Sequence, residues 1–512
     1  MICLCVCPSA AAHGFGQRFD LPLPLWLWVS GAGGTVVLSF VVAALVVREM
    51  PRATDYPRVD LLQFRLGRAI THPGVIASIR ALVVAVFAIT LIAGWFGTSD
   101  PFRNLAATAV WVLWWVGFAF VCALIGDLWA LVNPLRTTFV WAEGLHARLT
   151  GGCPLSRSIP YPSGLGVWPS VLLFLAFAWS ELVWAGNDVP SHLATAIALY
   201  SVLTWTGMFV YGRDVWLQNA EAFSVAFAVL ARFAPLEVRV KSKAAIAECA
   251  NPGCRRDKPD CVNGQVCLAS APQALREWNL RSPAVGLLND NPVSWSLLVF
   301  VLLMLGTITV DGVLETPVYQ SALKTIYATP ALSGLGVNAA QLLMSVMLVA
   351  FPLAFIALFI TCAWLMARVT NKKRDDSRPH DRHGAGEIAR SFVMTLVPIA
   401  IAYHLGHYLS LLLTAGQFII PLSSDPFGFG WDLLGSADYE VDIGIVGARF
   451  VWYAAVTAII IGHVFSVYLA HVVAMKMFET RRTALVSQLP MIALMIAYTM
   501  LSLWIFAQPI VG

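Results

Sequence analysis

His404 and His407 stand three residues apart inside an apolar run, Tyr403-His404-Leu405-Gly406-His407-Tyr408. On a helix that spacing puts both imidazoles on one face, where they can point at a common centre. Other ionisable residues sit in or at the ends of further apolar runs: Asp127, Glu181, Asp311 with Glu315 just beyond it, His463 and His471. A titratable side chain inside a bilayer is costly and normally faces a partner, a cavity or a substrate path. Imidazoles with carboxylates suit Zn, Fe, Mn or Cu better than Mg or Ca. A transition metal held this way brings the pKa of bound water toward neutrality and polarises a substrate oxygen, which is hydrolytic chemistry. The expected ligands are His404, His407 and His463, with Glu181 and Asp311 as further ligands or as the general base. His463 and His471 lie eight apart, about 12 Å along a helix axis, so one ion cannot take both. His471 and Asp127 are expected in the opposite half of the membrane. Three other uses of these residues stay open. They can hydrogen-bond between helices, or relay a proton or metal ion through Glu181, His404, His463 and Asp127. They can also hold a single haem or copper in an electron-transfer or accessory subunit. A stacked two-haem arrangement is disfavoured, because His404 and His407 are less than one turn apart.

The elements that must position these groups are membrane helices. The chain has 512 residues, 58% hydrophobic and 12% charged, about half the charged fraction of a soluble domain. That excludes a water-soluble globule, a disordered chain and a disulfide scaffold, and no basic-aromatic stretch suggests nucleic-acid binding. The fold expected is all-α, a polytopic transmembrane bundle. Ten apolar runs are long enough to cross a ~30 Å hydrocarbon core: 23–47, 81–98, 105–132, 167–187, 193–212, 293–314, 339–367, 388–413, 448–475 and 489–508. Their length and lack of two-residue alternation argue against a barrel. The organisation expected is a leader or extracytoplasmic N-terminus over 1–22, and a first half-bundle over 23–235. A cytoplasmic Cys-containing loop over 236–292 and a second half-bundle over 293–512 complete it. Trp216 to Pro235 contains Glu221 and Arg232 and reads as an interfacial or re-entrant helix rather than a span.

Charge sets the orientation. With the start of the first span outside, 29 of the 33 Lys and Arg fall on the inner side, leaving Arg18, Arg103, Lys324 and Arg449 outside. Such a bias follows the positive-inside rule and places both termini outside. The outward connection 415–447 carries Asp425, Asp432, Asp438, Glu440 and Asp442 with several aromatics and no basic residue. It can roof an outward-opening cavity or anchor at the headgroups. Ala10-Ala11-Ala12 resembles a signal-peptidase site, and cleavage there would leave His13 as a terminal residue able to bind copper. Among the ten cysteines, Cys249, Cys254, Cys261 and Cys267 fall within nineteen residues of the inner loop. Four such thiolates can hold a structural zinc, although the spacing is not that of a paired C-x-x-C ribbon. The absence of a Gly-rich phosphate loop argues against an ATP-driven pump.

Several segments resemble bacterial integral-membrane proteins described as fenitrothion hydrolases. They are 12–22 (AHGFGQRFDLP), Asn291-Pro292-Val293-Ser294-Trp295, Asp311-Gly312 with Glu315-Thr316-Pro317, and the Tyr403 to Tyr408 run. Ser424-Asp425-Pro426-Phe427-Gly428-Phe429-Gly430-Trp431 and Ala507-Gln508-Pro509 complete the set. The resemblance implies a multi-pass protein of the bacterial inner membrane that hydrolyses an organophosphate triester with a nitrophenol leaving group. It supplies no catalytic residues. An apolar aryl ester would reach such a site from the lipid bilayer, and a second membrane subunit is a possible partner.

Overall fold

Nine helices among the described residues are long and apolar enough to cross a bilayer. The computed structural model describes residues 23–46, 56–241, 260–263, 271–288, 291–329, 336–371 and 383–511. The leader, His13 and Cys249, Cys254 and Cys267 lie outside them. In chain order the helices used below are α1 (Leu25–Val46), α2 (Pro73–Phe96), α3 (Leu105–Leu124), α4 (Trp168–Leu182), α5 (Pro190–Tyr211) and α6 (Ala222–Ala231). They continue with α7 (Trp295–Leu314), α8 (Pro317–Ala328), α9 (Gly336–Asn371), α10 (Val397–Ala415), α11 (Ala448–Met477) and α12 (Leu489–Val511). Of the ten expected runs, nine correspond to span-length helices, and 167–187 becomes the 15-residue α4. The run 105–132 breaks after Leu124 and resumes as the short helix Trp129–Val132.

Local chemistry explains where these helices start. Proline occupies the first turn of α2, α5 and α10, where its missing N–H costs nothing. Asn104 caps α3 by accepting from Ala106 N, while its amide donates to the carbonyls of Ala93 and Thr98. One side chain thus closes the turn between α2 and α3. Within α3, Thr108 to Phe118 are wound as a π-helix, a rare form usually found near functional sites.

Burial separates core from rim. In the most apolar window of α7, 72% of residues are buried, against 6% in α2, so α7 is central and α2 lies at the rim. Helix α10 packs most extensively on α11, and α1 packs on α11 and α12, which joins the first helix to the second half of the chain. The two sequence halves are therefore not two independent bundles. The approach of α10 and α11 requires Gly462: a Cβ there would lie 2.5 Å from Ala402 Cβ and 2.7 Å from the Pro398 carbonyl oxygen. Because one obstacle is backbone, Gly462→Ala is expected to destabilise the bundle by about 1–3 kcal/mol. A lowered melting temperature in detergent checks this, and an unchanged one refutes it.

Between α5 and α7 the chain carries a packed short helix and three strands of a small sheet. In helix α6 eight of the ten residues are buried, and Glu221 caps it by accepting from Phe223 N and Ser224 N. The segment 236–292 is not wholly loop. It contributes β2 (Leu236–Lys241), β3 (Asp260–Val262) and β4 (Arg276–Arg281), which join β1 (Arg58–Asp60) in an antiparallel sheet of order β1-β4-β2-β3. Val59 pairs with Leu280, Val238 with Trp278 and Val240 with Cys261. The chain is thus mostly helical with one small sheet. Glu237 is fully buried between Arg239 and Arg281, and the Tyr56 phenol donates to it. Burial, then the bond to Glu237, raises the Tyr56 pKa, so the phenol stays a donor.

Within the connection 415–447, one carboxylate closes the turn over 425–431. Asp425 accepts from the backbone N–H of Phe429, Gly430 and Trp431, and Phe427, Phe429 and Trp431 pack ring against ring. Slight burial works against ionisation, but these N–H donors outweigh it and hold the Asp425 pKa below 3.8. A group depressed on folding stabilises the fold above its unfolded pKa and loses that effect as pH falls through the folded value. Protection of this loop from proteolysis is therefore expected to be constant above about pH 5 and to fall below about pH 4. In Asp425→Ala it should be lost at every pH, and an Asp425→Ala profile matching wild type would refute the assignment.

Candidate functional site

The site forms where the C-terminal parts of α7 and α12 meet the middle of α10. Gly312 permits this, because a Cβ on it would lie 2.7 Å from the Tyr403 hydroxyl and 2.8 Å from Ile505 Cγ2. One residue earlier, Asp311 reaches α10. Its Oδ2 lies 2.8 Å from His407 Nε2 and accepts from the Tyr408 hydroxyl at 2.6 Å. His407 is enclosed by the rings of Tyr403, Tyr408 and Phe506. Its side chain is 5% exposed and that of Asp311 14%, so the carboxylate is the member of the pair that solvent reaches more readily.

Two further carboxylates surround this pair. Glu315, which ends α7, lies within electrostatic range of His407 and Asp311. Glu181, in the last turn of α4, lies beside Trp115 and within electrostatic range of Asp311 and Tyr408. Three acids from two helices thus converge on one imidazole and one phenol. Such an arrangement can accept a proton, hold a cation or activate a water molecule, because like charges in a low-dielectric site raise the value of every proton or cation they share.

The remaining candidates make other contacts. His404 shares the α10 face and packs against Tyr408, Phe120 and Trp115, ring centroids 4.8, 5.1 and 5.9 Å away. Its Nε2 is buried with no hydrogen-bond partner among the described residues. His463 Nδ1 is bonded to the carbonyl of Ile459 in its own helix, and its ring lies 6.5 Å from that of Tyr498. His471 pairs with Gln488. Asp127 caps the short helix after α3 by accepting from Ala130 N. Of the expected ligand set, the structure therefore brings together Asp311, His407 and Glu181, places His404 beside them against the Tyr408 ring, and bonds His463 within its own helix. Among the described residues, no three His, Cys, Asp or Glu side chains are grouped so as to hold a metal ion. Cys261 lies in β3, opposite Val240.

Tyr408 is the residue that spacing arguments missed. It adjoins His407, about 100° away around the helix, and its hydroxyl still reaches the same oxygen. The available signal was a phenol flanking an intramembrane histidine, since a buried Tyr hydroxyl needs a partner. No protein-family model matches this chain, and no curated protein or solved structure matches it.

Proposed function

We propose that the protein is an integral membrane hydrolase of apolar aryl esters, of the organophosphate triester type, with Asp311 as the general base. The observation that supports this reading is the Asp311 carboxylate receiving both His407 and Tyr408 inside a mostly dry helix bundle. In the reaction, Asp311 takes a proton from water as the water oxygen bonds to the phosphoryl centre. The bond to the aryloxide breaks, and the aryloxide leaves with the electron pair. His407 and Tyr408 hold Asp311 in place and offset its charge, which orients the base before substrate arrives. The residues as arranged do not form a coordination sphere, so no step is routed through a metal. Topology is part of the proposal. The outward placement of this site and of both termini, with α4 as a tenth span, follows the charge bias, and the implied location is a bacterial inner membrane.

A second reading is favoured by the number of acids: Glu181 and Glu315 beside Asp311 suit a proton or metal-ion transporter. One experiment separates the two. Purified protein is reconstituted in liposomes and assayed for release of nitrophenolate from a nitrophenyl phosphate triester and for pH-driven ion flux. Ester turnover above empty liposomes that is lost in Asp311→Asn supports the hydrolase. Flux without turnover overturns it in favour of transport. Elemental analysis of the same preparations tests for bound Zn, Fe, Mn or Cu, and a stoichiometric metal lost in Asp311→Asn would turn Asp311 and His407 into ligands.

A further inference from the structure

Three arginines from separate segments gather beside the first half of α2. They are Arg80 in α2, Arg136 in the helix Pro134–Leu149, and Arg213 at the start of the helix Arg213–Asn219. Each lies within electrostatic range of the other two. The acids set against them are Glu143 and Asp214, so one positive charge is left over. Arg213 takes both acids, bonding Glu143 at 2.5 Å and Asp214 at 2.8 Å. Little remains for the other two. Arg136 is 13% exposed and reaches Asp214 only at 3.8 Å, too long for a hydrogen bond. Arg80 donates its Nε–H to the Leu131 carbonyl at 2.8 Å, one of the five donors a guanidinium carries. Neither of these two guanidiniums makes another hydrogen bond among the described residues.

The cluster stands at one end of an apolar cleft of about 360 Å³ between α2, α3, α4 and α5. Val83, Phe87 and Thr90 line the cleft and follow Arg80 along one stripe of α2, over about 15 Å. Pro134 and Leu135, the residues just before Arg136, line it as well. Val86, also in the lining, is 46% exposed, and α2 lies at the rim, so the cleft opens to the surroundings of the bundle. Its hydroxyls are spent. Those of Thr90, Ser180 and Ser201 donate to carbonyls of their own helices, and Tyr200 donates to Glu221. A ligand of this site therefore has an apolar body and, at one end, an anionic head. We propose that it is a phospholipid of net negative headgroup, with an acyl chain in the cleft and its phosphate on Arg80 and Arg136. Guanidinium forks match phosphate oxygens, and the extra negative charge offsets the cation left over. A zwitterionic lipid brings its own ammonium and offsets nothing. In the proposed orientation both arginines lie at the inner leaflet, where basic pockets between helices take acidic headgroups. The proposal does not depend on whether the Asp311 cluster cleaves esters or moves ions.

Native mass spectrometry of the full chain in detergent, titrated with phosphatidylglycerol or with phosphatidylcholine of identical chains, tests it. The first phosphatidylglycerol is expected to bind at least about tenfold more tightly than phosphatidylcholine, since each arginine near an acidic headgroup is worth about fivefold. Arg80→Gln should weaken phosphatidylglycerol about fivefold and leave phosphatidylcholine unchanged. The Arg80→Gln/Arg136→Gln pair should make the two lipids equivalent. Arg148→Gln removes an exposed arginine from the far end of the helix that carries Arg136 and should change neither. Ala196→Phe, which fills the cleft from α5, should weaken the first phosphatidylglycerol. Glycerol phosphate, a head without chains, should not displace it at hundredfold excess. Equal affinities in the wild type, or a loss in Arg148→Gln as large as in Arg80→Gln, would overturn the proposal, the latter by showing general attraction to a basic face. Displacement by glycerol phosphate would also overturn it, in favour of a plain anion site. Should Ala196→Phe fail to elute as a monodisperse species, the arginine variants decide alone.

Discussion

Asp311→Asn is expected to lower ester turnover about a hundred- to ten-thousand-fold, the range for loss of a positioned general base, while the protein still inserts and elutes normally. The amide is isosteric and can still meet the Tyr408 hydroxyl through its carbonyl oxygen, so packing survives. What disappears is the capacity to take a proton. His407→Gln should cost less, because it leaves Asp311 in place and removes only its neighbour at 2.8 Å. Tyr408→Phe should cost least of the three. If Asp311→Asn retains more than about a tenth of wild-type turnover, Asp311 is not the base. In that event Glu181 and Glu315, the other carboxylates within electrostatic range of Tyr408, become the residues to test.

Glu237→Gln is expected to produce the largest loss of stability, about 3–5 kcal/mol, as when one partner of a buried ion pair is removed. Glu237 is fully buried, and Arg239 and Arg281 are 1% exposed beside it. The variant keeps the volume but leaves two guanidinium groups with one carboxylate fewer. Tyr56→Phe, which deletes the bond donated to Glu237 and those accepted from Arg239 and Arg281 but no charge, should cost less, about 1–3 kcal/mol. Denaturant titration of the purified protein, followed by Trp278 in β4 as the sole tryptophan replaced by Phe in a matched pair, isolates the signal of the sheet. An unfolding midpoint unchanged by Glu237→Gln would show that the pair contributes nothing net. Replacing all three charged residues by apolar ones of similar size should be far milder than the single change.

The membrane helices were legible because hydropathy over about twenty residues is a local property. The sheet was not, for its strands have three or six residues and β1 pairs with a strand more than two hundred positions away. No local pattern announces such a pairing. At the site, Asp311 and His407 could be read as ionisable residues in apolar runs, and the structure joins them. His404 lies beside them, against the ring of Tyr408. Residues three apart share a face, but a difference of about 60° around the axis is enough to send one ring to Asp311 and the other to Trp115 and Phe120. His463 illustrates a second limit: its ring nitrogen found an acceptor one turn back in its own helix, which needs no neighbour and leaves no trace in composition.

The π-wound stretch from Thr108 to Phe118 lies beside the Asp311 cluster, with Trp114 packed on Phe223 and Trp115 on His404. An ordinary α-helix separates consecutive residues by about 100°; bonding to the fifth residue instead widens the coil and spreads each turn over more side chains. Such a stretch carries slack. A codon lost between positions 108 and 118 can be absorbed by tightening one loop of the coil, leaving both ends of the segment where they were. The same loss in the evenly wound Trp295–Leu314 segment would swing everything beyond it by more than a quarter turn and carry Asp311 away from α10. Over evolutionary time, length variation should therefore be tolerated in the first of these segments and purged from the second.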